Sequence, residues 1–427
     1  MIALLFVLLF ALMAVGVPVF GAMAASGMAY LLITGIGQPT TLPTAMVRGV
    51  SNFELLAIPF FILVGELMNR SGMTLRIINL ILFFIGRVRG ALAYVSVMVS
   101  LFASGISGSA PADASAVSAV LMPAMRQEGY SPPFAAAVNA SSAIIGPIMP
   151  PSIPMIFVAL VTNLSIGQLF LGGVGPALLL TVILLVVLWM RGRNTVMPVT
   201  DMSARESTSL KRVVTEALLA MLAPVILLTG VFTGIATITE VAFVATAYVL
   251  LLGVGVYRTI ALRDIPAIFR DGAVFSSTVM VLFAVVGIFS YIAAAERMGD
   301  QLAGAIERLD VGPLGFLLLT MVFFLIVGLV LDAVPAILIF MPILLPTAMT
   351  LGVDPIHFGV VVVVNLMIGL LTPPVGALLY VVSKVSRVSF VALTRQTLPF
   401  VVALFAGLVV IILVPGIVLW LPELVFR

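Results

Sequence analysis

The chain has 427 residues, of which 63% are hydrophobic and 9% charged, and its mean hydropathy is +1.32. About 25% of the residues of a soluble domain are charged, so this composition excludes a soluble protein and predicts a chain embedded in a bilayer. The formal charge of +3 indicates no nucleic-acid partner, because the basic residues lie in loops between apolar runs, and the absence of cysteine excludes disulfides, thiol catalysis and thiolate metal sites.

The first apolar run, residues 2–17, is predicted to be an uncleaved membrane span. Ala22-Met23-Ala24 resembles a signal-peptide cleavage site. However, no basic leader precedes the run, and its apolar stretch is longer than the core of a typical signal peptide.

Apolar runs of about 17–25 residues without strand-like alternation predict membrane-spanning helices throughout the chain. The first half is predicted to contain spans near 2–17, 19–36 and 53–70, an amphipathic helix near 73–88, a long apolar stretch at 91–124, a proline-broken segment at 134–162 and a span at 168–190. The second half is predicted to contain spans near 213–232, 238–257 and 273–294, a polar helix near 297–310, a long stretch at 313–350, a broken segment at 357–383 and a last span at 399–421.

The two halves have matching helix breakers. A shift of 223 positions superposes Pro123 on Pro346, Gly129 on Gly352, Pro132 on Pro355, Gly146 on Gly369, Pro150-Pro151 on Pro373-Pro374 and Pro176 on Pro399. General similarity among membrane helices explains matching leucines, but it does not explain matching prolines, each of which costs roughly 3 kcal/mol in a helix interior. The pattern therefore indicates a duplication, with the polar loop 191–216 joining the halves.

Each long stretch exceeds the about 20 residues that one span needs and has a polar centre, SGISGSAPAD at 104–113 and GLVLDAVPA at 328–336. These centres predict re-entrant hairpins with tips inside the membrane, where irregular backbone must line a cavity or be buried in protein. Five crossings then remain in each half, so the second half enters from the opposite face as an inverted repeat.

The basic residues support one orientation of this repeat. With the N-terminus outside, sixteen of the 20 Lys and Arg residues lie on the inner side, and the outer side holds Arg48, Arg297, Arg308 and Arg427. The proline-broken segments could be the hairpins instead, because only Arg126 would then change sides.

The paired breaks indicate a binding site. Freed carbonyls and helix C-termini attract a small cation, whereas helix N-termini attract a carboxylate. The candidate tip and substrate residues are Ser104, Gly105, Ser107, Gly108, Ser109, Asp113, Pro150, Pro151, Asp332, Pro335, Pro373, Pro374 and Gly376. The candidate Na⁺ ligands, mostly neutral oxygens that suit a monovalent ion, are Ser104, Asn139, Ser142, Gly146, Gly328, Asp332, Asn365, Gly369 and Thr372. Any one of these residues could instead serve packing.

Other polar residues have separate interpretations. Asp332 is the one acid in the middle of the second long stretch, and an acid at membrane depth is a functional candidate; Asp113 could be a helix cap. Glu66 precedes Arg70 by four residues, which predicts a local ion pair. His357, the single histidine, is interpreted as a boundary residue in preference to a proton relay.

Enzymatic activity is not expected. No GxxxxGK[ST] motif is present, which argues against direct use of ATP. Gly105-Ile106-Ser107-Gly108 matches the GxSG of rhomboid-type intramembrane proteases, but its serine would need a histidine base. The predicted topology places His357 on the opposite side of the membrane from the entry of the first hairpin.

Several long segments resemble the large membrane subunit of tripartite ATP-independent periplasmic (TRAP) transporters. They are SGISGSAPADASAV, GYSPPFAAAVNASSAIIGPIMPPSIPM, GLVLDAVPAILIFMPILLP, HFGVVVVVNLMIGLLTPPVG, AIPFFILVGELMNRSGM at 57–73 and GIATITEVAFVATAYVLLLGVGVYR at 234–258. The resemblance covers nearly the whole chain.

The resemblance implies a bacterial or archaeal inner-membrane permease that imports organic acids such as C4-dicarboxylates, sialic acid or keto acids. It implies Na⁺ as the coupling ion, with no other cofactor, and two partners: a small membrane subunit of four helices, expected here to be a separate chain, and a periplasmic substrate-binding protein. A stand-alone carrier of the wider ion-transporter superfamily, to which the resemblance also points, is the alternative. The broken segments contain no basic residue, so the sequence does not identify the acid.

The resemblance also implies an elevator, in which a transport domain slides against a scaffold. The expected fold is therefore an all-α polytopic membrane protein with two inverted repeats. Residues 1–190 form the first repeat, with scaffold spans at 1–90 and a hairpin and transport part at 91–190. A cytoplasmic loop at 191–216 connects it to the second repeat, 217–427, with scaffold spans at 217–311 and a transport part at 312–427.

Overall fold

The structure is a computed structural model that describes residues 2–38, 40–103, 108–194, 198, 210–308 and 311–426. Within these ranges all regular secondary structure is helical. The first half contains α1 (Ile2–Ala14), α2 (Val19–Thr34), α3 (Thr41–Val50), α4 (Ala57–Arg70), α5 (Met73–Ile85), α6 (Ala91–Ala103), α7 (Ala110–Gln127), α8 (Pro132–Ala143), α9 (Ile153–Thr162) and α10 (Ile166–Asn194). The second half contains α11 (Leu210–Thr233), α12 (Ile238–Leu251), α13 (Ile265–Ala295), α14 (Met298–Arg308), α15 (Pro313–Val330), α16 (Ala333–Thr350), α17 (Pro355–Gly369), α18 (Ala377–Ser386), α19 (Phe390–Leu413) and α20 (Gly416–Val425).

Within the described ranges, seven helices are long and apolar enough to cross a membrane, or eight if α3 and the bent segment that follows it count as one span. The prediction of a polytopic all-helical membrane protein is therefore confirmed. Two of the seven, α15 and α16, are the arms of the second predicted hairpin. The count of five crossings in each half stays a prediction, because several of those crossings would each combine two shorter helices.

The third predicted span, near 53–70, is helical at Phe53–Arg70, but a helix that the sequence did not predict, α3, precedes it. The chain bends by 56° between these two helical segments. Hydropathy missed α3 because Arg48 and two threonines, Thr41 and Thr44, lower the mean hydropathy of this short helix. At the bend, the Asn52 side chain accepts a hydrogen bond from the Glu54 N–H at 2.9 Å and so caps the 3₁₀ turn that leads into α4.

Two predicted boundaries are wrong. The last span, predicted at 399–421, is two helices, α19 and α20, separated at Val414 and Pro415. Proline at 415 has no N–H to continue α19. The predicted loop 191–216 is helical at both ends, because α10 continues to Asn194 and α11 begins at Leu210.

The helices of the two halves correspond closely. When the bounds of α7 are shifted by 223 positions they coincide with those of α16, and α8 and α17 begin at equivalent prolines, Pro132 and Pro355. The halves also pack crosswise, since α7 contacts α18 while its counterpart α16 contacts α9. Each predicted hairpin therefore lies against the proline-broken segment of the other half.

Helices α3 and α13 pack with their backbones close together. A Cβ atom added to Gly49 would lie 2.3 Å from the carbonyl oxygen of Phe283, and one added to Gly287 would lie 2.1 Å from that of Ala45. Only glycine permits this approach without displacing backbone. The first half of the chain is thus joined firmly to the longest helix of the second half.

Candidate functional site

A cavity of about 460 Å³ lies where the two halves meet. One side of the cavity is formed by the N-terminal ends of α7 and α16 and by the breaks that follow α8 and α17. The other side is formed by α4 and α13. The lining includes Glu66, Asn69, Ser109, Ala110, Pro147, Phe157, Asp271, Asp332, Ala333 and Leu370.

Two helix N-termini open into this central cavity. Ser109 precedes α7, and Asp332 occupies the equivalent position before α16 under the 223-residue shift. The Asp332 side chain is exposed to the cavity, and its Oδ1 accepts a hydrogen bond from the Ala333 N–H at 2.8 Å. The first N–H groups of a helix lack partners within the helix and attract anions. The arrangement therefore offers backbone N–H groups to a carboxylate without a basic side chain, but the Asp332 carboxylate beside them repels a second anion unless a cation is also present.

The wall opposite these N-termini contains an ion-pair cluster. Arg70 Nε lies 2.5 Å from Glu66 Oε1, which confirms the predicted local pair, and Arg70 Nη2 lies 3.0 Å from Asp271 Oδ2. Sequence reasoning missed Asp271, because it is 201 residues away along the chain. The cluster joins α4 to α13 at one end of the cavity.

A buried polar network occupies the first candidate ion site. Ser96 Oγ donates to Asn139 Oδ1 at 2.8 Å and lies 3.1 Å from Ser142 Oγ, and Asn139 Nδ2 donates to Ser118 Oγ at 3.4 Å. All four side chains are fully buried. Sequence reasoning found Asn139 and Ser142 but missed Ser96 and Ser118, whose only signal was a hydroxyl within an apolar helix. Gly146 is buried in the break just beyond this network.

The second candidate ion site is arranged differently. Asn365 is buried, and its Nδ2 donates to the Met321 carbonyl at 2.7 Å, but its Oδ1 has no hydrogen-bond partner among the described residues. A buried acceptor without a partner costs about 1–3 kcal/mol, so this oxygen fits a cation. Nearby, a Cβ atom on Gly369 would lie 3.0 Å from Gly328 Cα, which shows that these two candidates are in contact. Thr372 Oγ1 donates to the Ile368 carbonyl at 2.8 Å.

Comparison with known proteins gives the family. The sequence profile of the tripartite ATP-independent periplasmic transporter, DctM component, matches residues 6–417. The chain is 39% identical over 411 residues to the sialic acid TRAP transporter large permease protein SiaM of Vibrio cholerae, covering 96% of this chain and 95% of that protein. The chain belongs to the DctM family of TRAP transporter large permease subunits. The predicted resemblance is confirmed.

Other relatives match this large permease subunit over similar lengths. The 2,3-diketo-L-gulonate large permease YiaN of Escherichia coli is 33% identical over 95% of both chains, and the C4-dicarboxylate large permease DctM of Pseudomonas aeruginosa is 35% identical over 93% of both. Two solved structures share the fold. The Alcanivorax borkumensis YdaH transporter has a TM-score of 0.65 at 16% identity over 87% of this chain and 88% of its own. Neisseria gonorrhoeae MtrF has a TM-score of 0.63 at 10% identity over 91% and 84%.

Membership fixes several general properties of the large permease subunit. It is a multi-pass inner-membrane protein of a periplasmic transport system, which includes a periplasmic binding protein and a small permease partner. The family consists of permease subunits without catalytic activity, so the prediction that the chain is not an enzyme is confirmed. The GxSG match is not a protease motif. His357 is buried at the start of α17, with Nε2 3.0 Å from the Ile411 carbonyl oxygen.

The structure brings some of the candidate residues to the central cavity and leaves others outside it. Gly108, Ser109, Asp332 and Pro335 line the cavity. Asp113 is buried in the first turn of α7. Pro150-Pro151 and Pro373-Pro374 both have cis peptide bonds, and Gly376 precedes α18 with φ 51°. These residues and Asp113 lie outside the cavity lining. Ser104, Gly105 and Ser107 fall outside the described residues.

Proposed function

We propose that this large permease subunit imports a small organic acid, delivered by the periplasmic binding protein, together with Na⁺. The observation that carries the proposal is the meeting of two helix N-termini at the central cavity, beside Ser109 and Asp332. The relatives are named for sialic acid, 2,3-diketo-L-gulonate and C4-dicarboxylates, all of which carry at least one carboxylate. A carboxylate is the group that helix N-termini stabilise.

The charges around the cavity support coupling to a cation. The Asp332 carboxylate faces the cavity, and its one described hydrogen bond is to the adjacent Ala333 N–H. An anionic substrate beside this carboxylate is repelled unless a positive charge arrives with it. Asn365 Oδ1 supplies an unused neutral oxygen for such an ion. Sodium, which binds neutral oxygen ligands, would thus make substrate binding and ion binding interdependent.

The proposed architecture is an inverted repeat with an elevator mechanism. Residues 1–190 and 217–427 are the two repeats, and the transport parts, 91–190 and 312–427, move against the scaffold parts, 1–90 and 217–311. Its supports are the coincident bounds of α7 and α16, the crosswise packing of the halves and the excess of basic residues on one side. In this arrangement both termini are periplasmic, the loop near 191–216 is cytoplasmic and the two hairpins enter from opposite faces.

Transport is tested in proteoliposomes that contain the chain and its small subunit, with the binding protein outside. A dicarboxylate, a sialic acid and a keto sugar acid are offered separately at graded Na⁺ concentrations. Uptake of one of them is expected to require both the binding protein and an inward Na⁺ gradient. Equal uptake with K⁺ in place of Na⁺ and a proton gradient as the only driving force would refute sodium coupling. Uptake without the binding protein would identify a stand-alone carrier instead.

Orientation is tested separately by labelling single cysteines, which is clean because the chain has none. Cysteines are introduced at Ser203 and at Asp310, which both lie outside the described residues. Ser203→Cys is expected to react with an impermeant thiol reagent only from the inside, and Asp310→Cys only from the outside. Reaction of both from one side would contradict the inverted repeat.

A further inference from the structure

A second cavity, of about 680 Å³, lies between α3, the C-terminal part of α13 and the end of α9. We call it the outer cavity, because the distribution of basic residues predicts that Arg48 lies on the outer side of the membrane. Its polar lining includes Thr40, Thr44, Arg48, Asn52, Asn163 and Tyr291. Arg48 is exposed, and no acidic side chain is among the described residues of the lining. The outer cavity therefore offers one basic side chain, together with hydroxyl and amide groups, that can bind an anion.

The outer cavity and the central cavity have equivalent walls. The 223-residue shift superposes Arg48, Gly49, Asn52 and Leu55 of the outer cavity on Asp271, Gly272, Phe275 and Thr278, all four of which line the central cavity. The same stretch of each repeat therefore lines one cavity. The charge at the first of these positions is reversed, since Arg48 is basic whereas Asp271 is acidic and already paired with Arg70.

Two aromatic rings separate the cavities. Phe157 of α9 lines the central cavity and Phe283 of α13 lines the outer one; their ring centroids are 5.5 Å apart and both side chains are buried. The α3–α13 wall is joined tightly at Gly49 and Gly287. A movement of α9 relative to this wall would part the two rings and connect the cavities.

We propose that the outer cavity is a carboxylate-binding vestibule of the transport pathway. Arg48 binds the carboxylate of the arriving acid, which then passes the Phe157–Phe283 pair to reach the N-termini of α7 and α16. Arg48 favours anion capture at the outer wall, whereas at the equivalent position of the central cavity Asp271 is paired with Arg70 and offers the anion no basic group. This inference rests on the proposed function for the identity of the ligand, but the charge and the access of the cavity can be measured without transport.

The first experiment measures the potential of the cavity with thiol reagents. Thr44→Cys, and in parallel Ser290→Cys, is made in the otherwise cysteine-free chain in complex with its small subunit, and reacted in sealed vesicles with impermeant anionic and cationic methanethiosulfonates. Both cysteines are expected to react from the outside. Adding Arg48→Gln is expected to lower the ratio of anionic to cationic reaction rates by about three- to tenfold, as removal of one nearby charge predicts. Arg308→Gln, which removes an exposed basic residue away from the cavity, is the matched control and is expected to leave the ratio unchanged.

The vestibule would be overturned by reaction of both cysteines only from the inside, or by a rate ratio that Arg48→Gln does not change. Failure of both cysteines to react from either side would also overturn it, because the cavity would then not be open to water.

The second experiment measures uptake of the acid into proteoliposomes. Arg48→Gln is expected to raise the half-saturating concentration of the loaded binding protein about fivefold with a smaller effect on the maximal rate. Absence of any uptake by the unsubstituted chain would instead refute the proposed function, and the thiol result would stand independently.

Discussion

The two candidate ion sites occupy equivalent places in the two halves but differ in how their polar groups are satisfied. Ser142 belongs to a closed network with Ser96 and Asn139, whereas its counterpart under the 223-residue shift, Asn365, has an unpartnered Oδ1. The positions equivalent to Ser96, Ser118 and Asn139 are Leu319, Met341 and Val362. The first half thus has hydrogen-bonding partners for its candidate site, and the second half has apolar residues at the equivalent positions.

This difference indicates which site depends more on a bound ion. A closed network stabilises the fold without any ligand, since each of its hydrogen bonds contributes about 0.5–1.5 kcal/mol. An open acceptor instead gains a partner only when an ion or water arrives. The helix N-termini differ in charge, because the first half has neutral Ser109 where the second half has the acidic Asp332. We therefore expect the second half to dominate the coupling to sodium.

The largest effect is expected from Asp332→Asn. Asparagine keeps the N-cap of α16 but removes the charge that would require a cation beside the substrate. Uptake is expected to fall about 10- to 100-fold, as expected from losing a charged interaction of about 1.5–3 kcal/mol, while the amount of protein in the membrane stays the same. The matched control is Ser109→Asn at the equivalent neutral cap, which is expected to affect uptake less. Normal transport by Asp332→Asn would reduce the residue to a helix cap.

A smaller effect is expected from Asn365→Ala, which removes the open oxygen. The half-saturating Na⁺ concentration for uptake is expected to rise about tenfold, which corresponds to about 1.4 kcal/mol. Thermal stability without sodium is expected to change little. The substitution loses the hydrogen bond to the Met321 carbonyl, but it also removes the cost of burying an oxygen without a partner, and the two effects offset each other. An unchanged sodium dependence would place the ion elsewhere.

The smallest effect on sodium is expected from Ser142→Ala. Its hydroxyl is already engaged with Ser96 and with the Asn139 carbonyl, so the half-saturating Na⁺ concentration is expected to rise about threefold or less, or about 0.6 kcal/mol. The free energy of unfolding is expected to fall by about 1 kcal/mol, measured by thermal denaturation in detergent. A larger sodium effect than that of Asn365→Ala would reverse the assignment of the dominant site.

Patterns within a single segment were the most predictable from sequence. The paired Gly129 and Gly352, and Pro132 and Pro355, marked the boundaries of α7 with α8 and of α16 with α17, because glycine and proline act through local backbone geometry. The other paired prolines, Pro123, Pro346, Pro176 and Pro399, lie inside helices and end none of them. The prediction failed where a helix was polar, as in α3, or where one proline divided an apolar run, as at Pro415.

Partners across the fold could not be predicted in the same way. The Met321 carbonyl bonds Asn365 through its backbone, which has no residue-specific signal in the sequence. Asp271 reaches Arg70 only because α13 packs on α4. The acid Asp332 and the amides Asn139 and Asn365 could thus be selected by residue type, but the groups that surround them depend on tertiary packing.

The most direct test of sodium coupling through the second half is equilibrium binding of radioactive Na⁺ to the purified chain with its small subunit, in the absence of any acid. The unsubstituted protein is expected to bind Na⁺ saturably, Ser142→Ala to bind it slightly more weakly and Asn365→Ala to bind it about tenfold more weakly. Na⁺ binding by Asn365→Ala equal to that of the unsubstituted protein, or no saturable binding by either, would contradict the account.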